Sequence, residues 1–354
     1  MTKIFTLIFT ATACFVGCGS EAITTGHGSA ASDSNSSTQT TAGALNIWVV
    51  NGGDASVSEI NVDAGIVTAT YPLPDASFPH HINMSKDGKV VSVAVPGMDL
   101  SQGHAMTMDS NTPGAVYLLD GSTGAVIKTK KLANMNHNAA FSPDQKTIWT
   151  SQMVMPGYVL VLDATTLEQQ AAIPVGDSPE EVTFSYDGKT AFSANGMSNN
   201  VSIIDVSSLK VVATLNVPEG PVGAWSAYDN RMYLDSETSK SITIIDASTR
   251  AIVKSFDLGF TPGMAALDKT GNLWVTNSDA GNVTIFDLST FKKMMSIVTG
   301  PGAHGIAFSP DGLKAVVSNQ LGDSVTVIDA GKMTALQTIK VGSKPNGVIF
   351  KPAI

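Results

Sequence analysis

An internal repeat constrains this chain more than any other feature. A short apolar run ending in Asp, once in Asn, recurs at Asn61, Asp120, Asp163, Asp205, Asp246, Asp287 and Asp329. The spacings are 59, 43, 42, 41, 41 and 42 residues. The first is long because an insertion of about 17 residues lies between Val95 and Tyr117. Each unit reads alike. An apolar run enters a Ser-Pro-Asp-Gly-like turn, and a second run leads to an Asn/Gly/Ser loop. The Asp-ended run follows, then a turn such as DGSTG or DASTR, then a fourth run. The runs are rich in Val, Ile, Thr and aromatics and bounded by turn residues, which marks strands. Four strands in about 42 residues is the signature of a propeller blade. One blade cannot bury both faces, so the blades must stack around an axis.

The two ends predict closure of the ring. Pro345–Phe350 reads as a first strand with nothing after it, and Leu45–Asn51 as a second strand. Paired, they complete one blade and leave no open edge at the seam. The expectation is an all-β fold over 45–354: a seven-bladed β-propeller of four-stranded antiparallel blades, closed by the N- and C-terminal strands in one blade. The recurrent Asp needs no catalytic role, because a carboxylate at a strand end can cap the N–H groups of the next turn.

Composition removes several classes of function. Charged residues make up 14% and the net charge is −9; ordinary soluble domains carry roughly 25% charged residues. Arg231 and Arg250 are the two arginines, so the basic surface of a nucleic-acid binder is missing and no nucleic-acid partner is expected. The cysteines are Cys14 and Cys18. The repeat body therefore has no disulfide framework, no thiolate metal site and no Cys-x-x-Cys-His for covalent haem.

Residues 1–17 read as a signal peptide. Lys3 is the positive n-region, and the apolar run from Ile4 to Val16 is too short to span a bilayer. The run ends Phe15-Val16-Gly17-Cys18. This resembles the bacterial lipobox, in which a cysteine is lipidated and becomes the mature N-terminus. The resemblance implies lipidation of Cys18, a membrane partner through that anchor, and a place in the cell envelope. Gly19 after the cysteine, rather than Asp, is similar to outer-membrane sorting signals, on the periplasmic or the surface face. Residues 18–44 then form the lipidated Cys and a Gly/Ser/Thr/Ala-rich flexible linker. His27 within it reads as solvated.

The segment AFSPDGLKAVVSNQLGDSVTVIDAGKMTALQTIKVGSKPNGVIF at 307–350, with weaker copies from 45 onward, resembles the YVTN-type repeat of bacterial seven-bladed propellers. The resemblance implies the fold and leaves function open.

Function is sought where the repeats disagree. In a propeller the loop into each innermost strand lies near the axis, so departures there are candidates for chemistry. The position five residues before the turn Ser holds His80, His137, Glu180, Val222, Gly263, His304 and Asn346, with His81 beside His80. Around the ring His304, Asn346, His80, His137 and Glu180 fall on five consecutive blades. His80, His81, His137, His304 and Glu180 are therefore the candidate metal ligands, at an open mouth. Loops of the same sector carry sulfur: Met98, His104, Met106 and Met108 in the insertion, Met153 and Met155 in the next blade, and Met197 after that. These form a candidate second metal site or access path. The bland alternative is loop anchoring, since Met fills irregular gaps well. Imidazole with thioether suits copper, Cu(I) above all, whereas imidazole with carboxylate suits zinc, iron or Cu(II). A copper ion is the favoured cofactor, with another transition metal or haem as alternatives.

The leading expectation is a lipid-anchored propeller that holds, delivers or senses a metal ion. Nitrous oxide reductase is similar in placing histidines around copper at a propeller mouth. The stretches FPHHINMSKDG and GAHGIAFSPDG resemble mouth motifs of propeller lactonases and streptogramin lyases. That resemblance implies an enzyme using His and Glu as general acid and base, with catalytic residues unassigned. A third alternative resembles the d1-haem propellers, with His80, His137 or His304 as axial ligand, or is a surface interaction protein. Trp225 reads as a packed residue near the mouth. If the histidines sit at exposed loop ends, replacing them should change stability by no more than about 0.5 kcal/mol.

Overall fold

A computed structural model describes residues 45–101, 103 and 112–352. The signal segment, Cys18, His27 and the tether lie outside the described residues, as do His104, Met106 and Met108. The described residues form seven four-stranded antiparallel sheets, twenty-eight strands numbered β1 to β28 in chain order. Six blades each use four consecutive strands; the remaining blade has the order β28-β1-β2-β3. In that blade β1 (Asn46–Asn51) pairs antiparallel with β28 (Pro345–Phe350). This is the ring closure that the chain ends require.

The inner strands are β28 in blade one, β4 (Ile82–Met84) in blade two, β8 (Ala140–Phe141) in blade three and β12 (Pro179–Phe184) in blade four. They continue with β16 (Pro221–Ser226), β20 (Pro262–Leu267) and β24 (Ala303–Phe308) in blades five to seven. The third strand of a blade is sandwiched by both neighbouring blades. The run SVTVID at 324–329 is accordingly buried through its first five residues. The fourth strand, such as TALQTIK at 334–340, is a largely exposed rim. The core is thus a ring of interfaces. At the seam, Ile47, Val49 and Ile60 of blade one pack on Val316, Val325 and Val327 of blade seven.

The strand-end side chains, Asp in six blades and Asn61 in the other, are turn caps in every blade. Asp120 Oδ1 accepts from Ser122 N at 2.9 Å and Thr123 N at 2.8 Å. Asp163 and Asp246 repeat both bonds, while Asp205, Asp287 and Asp329 accept from one turn N–H each. Asn61 accepts from Ala64 N at 2.8 Å. Hydroxyl bonds from Ser122 and Ser207, followed by turn N–H groups, pull Asp120 and Asp205 down to about 2. A depressed carboxylate stabilises the fold above its unfolded pKa, near ~3.9, and that contribution is lost as pH falls toward the folded value. The melting temperature is therefore expected to be flat above about pH 5 and to fall between about pH 4 and 2. A pH series of thermal melts checks this; Asp205→Asn should shrink the acid-side drop.

Candidate functional site

The histidines stand where each inner strand begins, and a β-bulge aims them. His80 N donates to Ala94 O and Ala94 N donates to His81 O, both at 2.9 Å. Two residues thus oppose one, the arrangement that turns consecutive side chains toward one side. The same register shift occurs at Pro179/Val182, Pro262/Ala265 and Ala303/Ile306. Hydroxyls from neighbouring blades hold the bulged backbone. Thr276 donates to His304 O and Ser318 to Asn346 O, each at 2.6 Å, and Ser151 donates to Glu180 O. Gly347 N donates to His80 O at 2.9 Å, tying blade one to blade two beside the axis.

Four imidazoles from three blades converge. Ring centroids lie 4.5 Å apart for His80–His137, 4.7 Å for His80–His81, 4.8 Å for His81–His137 and 5.6 Å for His80–His304. One nitrogen from each of His80, His81 and His137 falls within a set whose members are all within 4.8 Å of one another. Asn346, from blade one, places its side-chain amide 2.8 Å from His80 Nε2.

Glu181 brings a carboxylate to this cluster. Its Oε1 lies 2.9 Å from His81 Nε2 and 3.0 Å from His137 Nδ1. Asn138 Nδ2 donates to Val182 O at 2.7 Å and stands 3.5 Å from Glu181 Oε2. Burial pushes the Glu181 carboxyl up. Electrostatic attraction to the facing His81 and the hydrogen bonds from His137 and His81 outweigh burial and hold it well below the ordinary carboxylate range. With both rings neutral and donating to the carboxylate, His81 Nδ1 and His137 Nε2 would be the lone-pair nitrogens.

Sequence reasoning assigned the carboxylate to Glu180. The structure points Glu180 at a cleft of about 300 Å³ between blades four and five, with Met197, Glu219, Val222 and Glu237. There its Oε1 would lie 3.0 Å from a Cβ added at Gly196. The signal for Glu181 was present one position further on. That position of the repeat reads His81, Asn138, Glu181 in three successive blades, and the bulge brings it to the axis as well.

The site is not an open mouth. His80, His81, His137, His304, Glu181 and Asn346 are each at most 7% exposed. The described part of the insertion covers His80: Asp99 and Leu100 line, with His80 and Asn346, a void of only about 10 Å³. Lys344 pairs with Asp99 there. The expectation that removing these histidines costs little therefore fails, because they are buried and hydrogen-bonded. The methionines divide. Met98 and Met153 pack with Leu100 and Met135 in a small apolar cluster, whereas Met155 and Met197 are exposed.

On its other side the cluster meets the central channel, about 630 Å³, whose lining includes His81, Asn138, Glu181 and Trp225. The Trp225 ring is 6.0 Å from that of His81, and its Nε1 donates to Asp235 Oδ1 at 2.5 Å. Trp225 thus belongs to the channel rather than the mouth.

Fold and site together define the class: a seven-bladed β-propeller with an axial cluster of buried imidazoles around one carboxylate. No family model matches the chain and no curated protein matches it. Solved structures do. A periplasmic gluconolactonase of Pseudomonas aeruginosa superposes with a TM-score of 0.69 at 19% identity, over 88% of this chain and 99% of that one. A dihydro-heme d1 dehydrogenase gives 0.62 at 17%, over 86% and 74%. Kuenenia stuttgartiensis hydrazine synthase gives 0.62 at 19%, over 76% and 88%. At these identities the likeness shows the shared propeller fold.

His137→Ala should lower stability by roughly 1–3 kcal/mol, the cost of removing one donor from a buried acceptor. His137→Gln, which can offer an N–H to Glu181, should recover part of it. Chemical denaturation of the two variants checks this.

Proposed function

We propose that the propeller binds one divalent transition-metal ion at the axial cluster, with His80, His81 and His137 as ligands. Glu181 orients two of the rings. One observation carries the reading: three imidazole nitrogens from two blades lie within 4.8 Å of one another beside a fully buried carboxylate. Ligands on one ion at about 2.1 Å each lie no more than about 4.2 Å apart, so shifts of under about 1 Å close the set. A histidine ligand commonly donates its other N–H to a carboxylate, which fixes the tautomer and raises basicity. Buried Glu181 also demands compensating positive charge, which an ion held by its two imidazole partners supplies.

The donor set is nitrogen with a carboxylate alongside, and the Met98 and Met153 thioethers are engaged in packing. Such a set favours Cu(II), zinc or iron(II) over Cu(I). Copper leads among divalent ions because its complexes are the most stable of the series. Metal holding, delivery or sensing follows from such a site.

A second reading is supported by the channel. His81 and Glu181 line it together, as an imidazole and the carboxylate that orients it. That is the arrangement of a general base, and a lactone is the substrate class suggested by the gluconolactonase neighbour.

Protein purified without a polyhistidine tag is expected to carry about one metal equivalent by elemental analysis, and H81Q/H137Q to lose it while staying folded. Metal-free wild-type protein, or unchanged metal in the folded double variant, rejects the metal site. Lactone turnover by metal-stripped protein that disappears in H81Q would establish the second reading instead.

We also propose that Cys18 anchors the propeller to the cell envelope through the 18–44 tether. The support is the apolar run ending Phe15-Val16-Gly17-Cys18. Cys18→Ala should move the protein from the membrane to the soluble fraction and remove the lipid mass from its N-terminal peptide. Unchanged fractionation would reject the anchor.

A further inference from the structure

Access to the cluster is decided by what lies on its two sides. Among the described residues on the insertion side, the void at His80 is about 10 Å³, no more than the roughly 10–15 Å³ that one water needs. On the other side the channel offers about 630 Å³, within the roughly 300–1,000 Å³ of small-molecule sites. Tyr186 and Tyr228 line it where the chain turns after β12 and β16, and they are 66% and 48% exposed. The channel therefore opens on the face of the Ser-Pro-Asp-Gly-like turns, opposite the insertion.

Its wall has a defined chemistry. Phe141, Phe184, Trp225 and Phe308 are among its lining residues, each half-buried, with the Phe184 and Phe308 rings packed edge-on against Trp149 and Trp274. Asn83, Thr183 and Ser226 add neutral hydrogen-bonding groups. Among the described residues lining it there is no Lys, Arg or Asp; the ionisable groups are His81 and Glu181 at the inner end and the two tyrosines. A phosphate or carboxylate on the body of a ligand would meet no counter-charge along this wall and would approach Glu181. Like charges brought together at a desolvated site cost several kcal/mol. A wall of half-buried aromatic and aliphatic side chains with a few neutral polar groups suits an uncharged ring, aromatic or pyranose, in apolar contact and hydrogen-bonded at once.

We infer that the central channel is a binding site for an uncharged, ring-bearing small molecule, which enters from the turn face and presents its polar end to His81 and Glu181. This rests on the reading of the His–Glu cluster as the functional site, and it holds whether that end is completed by a metal ion or by the imidazole–carboxylate pair alone.

The test uses the full-length mature protein, with its metal content measured on every sample. Phenyl β-D-glucoside and its 6-phosphate are titrated, following tryptophan fluorescence and heat of binding. The glucoside should bind saturably, and the 6-phosphate at least about tenfold more weakly. Ala266→Trp, on the channel wall, should abolish glucoside binding without changing metal content; Ala307→Trp serves the same purpose if the first variant does not fold. Met197→Trp, in the cleft between blades four and five, should leave binding unchanged. The inference is overturned if the glucoside does not bind, if the phosphate derivative binds as tightly or more tightly, or if Met197→Trp rather than the channel variants blocks binding. A metal-free protein that binds the glucoside in the channel would sink the metal reading alone. A metal-bearing protein that binds neither probe would sink the channel inference alone.

Discussion

A four-stranded blade with apolar faces on both sides has no stable existence alone, and that constraint organises the whole molecule. Each blade covers its faces with its neighbours. The sequence pays no attention to alternation in the third strands for this reason: residues such as Val325, Thr326 and Val327 are all buried. A ring of such interfaces is stable only if it closes. Closure falls to β28 and β1, and the contact of Ile47 and Val49 with Val316 and Val325 makes the seam equivalent to the other interfaces.

Closure is also what creates the site. His80 and His81, His137, Glu181 and His304 come from blades two, three, four and seven. They meet because the inner strands are drawn to one axis. The bulge at the start of these strands doubles the number of side chains that can face that axis. Cross-blade hydroxyl bonds to His304 O and Asn346 O pin the bulged backbone. The positions of the rings are thus set by the same contacts that hold the ring of blades together.

Glu181 gives the cluster its electrostatic logic. A carboxylate 1% exposed is tolerated only where positive charge and hydrogen-bond donors face it. His81 and His137 place ring nitrogens at 2.9 and 3.0 Å from it, with Asn138 alongside. Satisfying one oxygen of Glu181 from two rings fixes both imidazole orientations. The cluster therefore has two distinct sides, one where Asp99 and Leu100 pack over His80 and one where His81 and Glu181 reach the channel.

The sequence by itself determined the seven blades, the paired termini, the turn-capping role of the strand-end aspartates and the gathering of His80, His81, His137 and His304. All of these follow from residues at fixed positions of a repeat, and a repeat converts linear spacing into angular position around an axis. Three things were decided only by tertiary structure: that Glu181, one residue past the position the repeat singled out, meets His81 and His137, that Met98 and Met153 turn to an apolar cluster, and that the histidines are buried, with His81 and Glu181 reaching the channel. Each depends on which way a side chain leaves a bulged backbone and on what the folded insertion covers. Neighbouring residues differ there by a rotation about the strand, which spacing along the chain does not encode.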